Sequence, residues 1–64
     1  MGAFYRIIVT VRGDLRYLQV DVQKNLKITE DITQAAVIPN DLVPLYKELV
    51  RARFNVGSVD HEEV

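Results

Sequence analysis

The chain has no cysteine, three glycines, two prolines, one histidine and one serine. Each shortage excludes something. Without cysteine, no disulfide or thiolate metal site can staple its 64 residues, and nothing supports a disulfide-rich secreted scaffold. The glycines, at 2, 13 and 57, are too scattered for a phosphate-cradling loop. Ser58, the sole serine, has neither a nucleophile-elbow context nor a base nearby. His61, the sole histidine, has no orienting partner in the sequence, so His61-Glu62-Glu63 reads as a solvated acidic end rather than a chelating or catalytic group. Glu30 and Asp31 are adjacent, and in a strand their carboxylates diverge, which makes a poor acid–base pair. The expectation is therefore a non-enzyme with no catalytic residue, metal site or cofactor.

Long apolar runs are also missing, so no segment is expected to span a bilayer. The N-terminus shows no basic region followed by an apolar one, and no signal peptide is expected. Met1-Gly2 opens like an acylation site, but Arg6 stands where that motif requires Ser or Thr. With no address legible, the expected location is the cytoplasm. An excess of one charge is lacking too. The net charge of −1 carries no electrostatic footprint for nucleic acid or an anionic membrane.

What is present is apolar content of 48%, enough for a folded globule and too much for a disordered chain. At this length a single core barely offsets conformational entropy. Burial against a second copy would add stability, so a homo-oligomer is expected.

The clearest pattern is residues 4–23, read as a long β-hairpin. Phe4–Arg12 and Leu15–Gln23 are rich in Val, Ile, Thr and Tyr, which suit a pleated sheet. Gly13-Asp14 between them fits a two-residue type II′ turn. That turn pairs Val9 with Leu18 and Ile7 with Val20, and it sets Arg6 opposite Asp21. It assigns Tyr5, Ile7, Val9, Leu18, Val20 and Val22 to a core face. The opposite face receives Phe4, Arg6, Ile8, Thr10, Arg12 and Tyr17. Arg12-Gly13-Asp14 spells a cell-adhesion tripeptide, but turn chemistry accounts for it.

Lys24-Asn25 is a turn signal, and Leu26–Thr29 alternates as a third strand. A tight turn would put Ile28 on the outer face unless a bulge resets the register. Residues 32–38 fit either a short helix capped by Thr29 or a strand running into Pro39, with strand favoured by the extended bias before proline. Asn40-Asp41 offers an N-cap and Pro44 suits the first turn of a helix over about 41–54. Leu42, Leu45, Leu49 and Ala52 form its apolar stripe, facing the sheet. Phe54 lies off that stripe, either as a contact residue or folded back onto the sheet edge. Residues 57–64 read as a flexible acidic tail.

The predicted architecture is α+β: an antiparallel meander packed by one C-terminal amphipathic helix, as a single domain over 1–56 followed by the tail. Phe4, Arg6, Ile8, Thr10, Arg12 and Tyr17 are the candidate contact face. Aromatic, Arg and aliphatic side chains together on a sheet mark a protein-interface core. The expected function is a small interaction module that self-associates and serves as a subunit, adaptor or inhibitor of a larger partner. Addition of a strand at a sheet edge is a second geometry for the same role. The alternative is a small nucleic-acid-binding regulator stacking bases on that face.

Overall fold

The computed structural model describes residues 3–64. The acylation-like start at Met1-Gly2 lies outside them. The fold is α+β, with an antiparallel sheet and one helix near the C-terminus packed on it. The strands are β1 (Phe4–Val11), β2 (Asp14–Val20), β3 (Leu26–Thr29), β4 (Ile38–Pro39) and β5 (Ser58–Glu63), and the helix is α1 (Val43–Arg53).

The hairpin forms, but its turn is Arg12-Gly13 rather than Gly13-Asp14. Both residues have positive φ, 54° and 84°, the requirement of a type I′ turn with glycine second. Pairing is Ile8 with Tyr17, Val9 with Arg16, Thr10 with Leu15 and Val11 with Asp14. The register differs by two residues from the expected one. A two-residue shift keeps every side chain on its face, because strand side chains alternate. Ile7, Val9 and Leu18 are accordingly all buried.

Val22 does not join them and is 99% exposed. β2 stops at Val20 because Asp21 captures the backbone. Its Oδ1 accepts the N–H groups of Gln23 and Asn25, each at 2.9 Å, a local turn that competes with ladder pairing. The connection from Asp21 to Asn25 then places Ile28 opposite Leu18 and Leu26 opposite Val20. Ile28 therefore lies on the core side without a bulge.

β1 is the centre of the sheet and has three partners. β5 pairs with Tyr5–Thr10, β2 with Ile8–Val11 and β4 with Phe4–Tyr5. A strand has two edges, and β5 overlaps both of the others, so β2 and β4 share the opposite edge. β2 diverges beyond Tyr17, and the chain before β4 fills the fork, where the Ala36 N–H donates to Leu18 O at 2.8 Å. Residues 32–38 resolve into a short 3-10 turn at Ile32–Gln34 followed by extended chain. Asp31, not Thr29, caps the turn, accepting from the Thr33 N–H.

β4 and β5 both run antiparallel to β1 and flank it, and α1 crosses over β1 between them. A 3-10 turn at Asn40–Leu42 precedes α1, and Leu42 at its N-cap makes no side-chain hydrogen bond. The cap expected of Asn40-Asp41 is thus replaced by a tightened first turn, with Pro44 where its missing N–H is harmless. The face that α1 buries also differs from expectation. Val43 and Val50 are buried, with Tyr46 and Phe54 packed against them. Leu45 is 53% exposed and Ala52 is exposed. The helix is turned by roughly a third of a revolution from the leucine-inward orientation. Both stripes are apolar, and the more compact valines fit against β1. Phe54 ends the helix in extended conformation and folds back onto the core.

Within residues 57–64, expected as a flexible tail, Ser58–Glu63 form β5 along six residues of β1. Gly57 donates its N–H to Thr10 O at 2.6 Å, and a Cβ at Gly57 would stand 3.3 Å from that oxygen. Glycine here allows close approach and starts the pairing. Val59 packs against the core from β5.

Candidate interaction face

Cross-strand partners share a face, so the uncovered side of the sheet follows from the register. From β1 it carries Phe4, Arg6, Ile8 and Thr10. From β2 it carries Leu15 and Tyr17, opposite Thr10 and Ile8. From β5 it carries Ser58, Asp60 and Glu62, opposite Thr10, Ile8 and Arg6. Five of the six residues singled out from sequence therefore lie on one sheet face. Arg12 lies apart from them, in the turn.

Ile8 and Tyr17 are half-buried at the middle of this face. Phe4 is 53% exposed and Leu15 61% exposed. Val64 is exposed beside Phe4, to whose carbonyl its N–H donates at 2.9 Å. Leu15 and Val64 extend the apolar surface beyond the sequence-derived set. Leu15 was legible in principle, since it shares parity with Tyr17 along β2. Val64 was not, because its position depends on β5.

Polar pairs alternate with the apolar residues along β1. Arg6 Nε lies 2.7 Å from Glu62 Oε1. The contact is an ion pair rather than an aligned hydrogen bond, since the Nε–H points off the carboxylate. The partner expected for Arg6 was Asp21. Asp21 instead sits in the β2–β3 turn, 3.6 Å from Lys27 Nζ. The Asn25 N–H, foremost, and the Gln23 N–H hold the Asp21 carboxyl below the ordinary aspartate value. On the other flank, Ser58 Oγ donates to Thr10 Oγ1 at 2.9 Å.

His61 does have neighbours, contrary to the sequence reading. It lies opposite Ile7, on the helix side of the sheet. Its ring meets Tyr5 edge-on at 5.2 Å, and Lys47 Nζ of α1 is 3.3 Å from Nδ1. These contacts fasten β5 to β1 and α1. Glu30 and Asp31 diverge as expected, Glu30 towards Arg16 at 3.8 Å and Asp31 towards Thr33 Oγ1 at 2.7 Å.

At the hairpin tip, Val11, Arg12, Asp14, Arg16, Asn55 and Val56 line a groove of about 650 Å³. Asp14 and Glu30 each stand 3.8 Å from Arg16. No group of His, Asp or Glu suited to a metal ion occurs among the described residues, and none of their helices is long and apolar enough to cross a membrane. Comparison with known proteins yields no relative: no family model matches the chain, and no curated protein or solved structure is detectably similar.

Proposed function

We propose that this chain is a non-enzymatic interaction module that self-associates through the uncovered face of its sheet. The observation that supports the reading is the exposure of Phe4, Leu15 and Val64 on the same sheet face as the half-buried Ile8 and Tyr17, interleaved with the pairs Arg6–Glu62 and Thr10–Ser58. Aromatic, Arg and aliphatic side chains together on one exposed sheet face are the composition of a protein interface. A second copy is the occupant because it would add apolar burial to a small core. Among the described residues, Ile7, Val9, Leu18, Ile38, Val43 and Val50 form the buried core, which is small support for a chain without staples. Docking two copies face to face would bury the same residues twice.

Pairing through a sheet edge fits less well. β5 forms one edge and carries Asp60, Glu62 and Glu63, and such charges discourage strand addition. The nucleic-acid reading is also weakened. On the face that carries Phe4 and Tyr17, Arg6 is tied to Glu62 and Lys27 stands 3.6 Å from Asp21, which leaves little free positive charge beside the aromatic residues.

Sedimentation velocity over a range of concentrations, with and without short oligonucleotides, tests the reading. Self-association independent of oligonucleotide is the expected result. A single chain at every concentration overturns it. Salt-sensitive co-sedimentation with oligonucleotide that is lost in Arg6→Ala and Arg12→Ala would favour the nucleic-acid alternative.

A further inference from the structure

Helix α1 has apolar side chains on two sides. Val43, Tyr46, Val50 and Phe54 face the sheet. Leu45, Leu49 and Ala52 occupy the other side, where Leu45 and Ala52 are exposed, and Leu42 of the preceding 3-10 turn is exposed as well. A helix apolar on one stripe is complete once that stripe is covered, and a second stripe marks a second contact. The outward residues of α1 recur at spacings of four and three, the repeat along the seam of a two-stranded helical pair.

The charges beside the seam indicate the partner. With Leu49 at a and Leu45 and Ala52 at d, Glu48 falls at g and Arg53 at e. Glu48 precedes Arg53 by five residues. In a parallel pair, the g residue of one helix meets the e residue five positions later on the other. Two copies of α1 side by side therefore set Glu48 of each chain against Arg53 of the other, twice over. In an antiparallel pair, Glu48 would face Glu48. Within one chain, Glu48 Oε1 lies 2.8 Å from Arg51 Nη1, an exposed contact of the kind that rearranges at little cost. Arg53 has no carboxylate within 4 Å among the described residues.

We infer that the outward face of α1 docks against the same face of a second copy, in parallel, with reciprocal Glu48–Arg53 pairs. This surface lies across the sheet from the one proposed above and does not depend on it. If both operate, each chain has two different self-complementary surfaces, and assembly continues past a dimer.

The test is a charge exchange, read by sedimentation equilibrium in a Leu15→Asp background, where association through the sheet face is removed. Glu48→Arg and Arg53→Glu alone should each weaken association by at least about tenfold. The double variant Glu48→Arg/Arg53→Glu should recover it to within about threefold. Leu45→Asp should abolish it, and Ala52→Glu, at another exposed position, should do the same with unchanged far-ultraviolet circular dichroism. Three outcomes overturn the inference: a background that is monomeric at every concentration, a Leu45→Asp variant of unchanged mass, or a double variant no tighter than the single ones. Loss of the sheet face alone is distinguishable, because Leu15→Asp would then leave the wild-type mass unaltered while Leu45→Asp lowered it.

Discussion

Arg6 and Glu62 face each other across β1 and β5, Nε 2.7 Å from Oε1. The pair joins the second residues from the outer ends of the two strands' ladder and shows that the C-terminal segment is part of the sheet. In a double-mutant cycle, Arg6→Ala and Glu62→Ala should couple by about 0.5 kcal/mol, a modest value because both side chains are partly solvated. Thermal unfolding of the four proteins measures it, and additive effects would remove the pair from the account.

Removal of residues 58–64 should abolish cooperative unfolding. It strips Val59 from the core and removes the six-residue ladder between β1 and β5. A flexible tail could be cut without effect. Circular dichroism of the truncated chain during heating distinguishes the two.

The hairpin turn holds Arg12 at φ 54°, a left-handed conformation that costs an L-residue about 1 kcal/mol. Arg12→Asn should therefore stabilise the fold by about 0.5–1 kcal/mol, since asparagine tolerates that region. Gly13→Ala should destabilise it by about 1 kcal/mol: the space around Gly13 is open, but its φ is +84°. Chemical denaturation of the two variants gives opposite shifts if the turn is type I′ at Arg12-Gly13.

The helix orientation predicts a contrast. Val50→Ala, in the core, should cost about 2 kcal/mol, whereas Leu45→Ala should change the stability of the dilute chain by less than about 0.5 kcal/mol. The reverse order would restore the leucine-inward helix.

Asp21 and Asp31 both titrate below the ordinary aspartate range, Asp21 chiefly through the Asn25 N–H and Asp31 chiefly through the Thr33 hydroxyl. Their folded-state values are depressed, so the stability they contribute is present above the unfolded value. It is lost as pH falls through the folded one. Stability should decline below about pH 4, and Asp21→Asn should make that decline shallower. Urea titrations between neutral and acid pH measure both slopes.

Much of this was legible in the order of the residues. The two faces of the hairpin could be read from alternation, because a two-residue error in register preserves parity. The α+β class and the helix near the C-terminus followed from the β-branched runs and the span after Pro44. Other features depended on competitions between similar signals. The turn position was hidden because arginine rarely adopts positive φ. The helix face was hidden because the Val43–Val50 and Leu42–Leu45–Leu49 stripes are both apolar, and only tertiary fit chooses between them. β5 was hidden because Asp60, His61, Glu62 and Glu63 suit a solvated edge. Its signal lay in Val59 and His61 alternating with polar residues, and in the complementarity of Glu62 to Arg6. The same omission concealed Val64 from the candidate face.

The most direct test of self-association through the uncovered sheet face is the sedimentation-equilibrium mass of the wild type beside Phe4→Asp and Leu15→Asp. Both substituted positions are more than half exposed, so folding should survive, as circular dichroism would verify. The account predicts a wild-type mass above the 7.3 kDa of one chain, rising with concentration, and a lower mass for each variant. Variants that keep the wild-type mass, or a wild type at 7.3 kDa throughout, would contradict it.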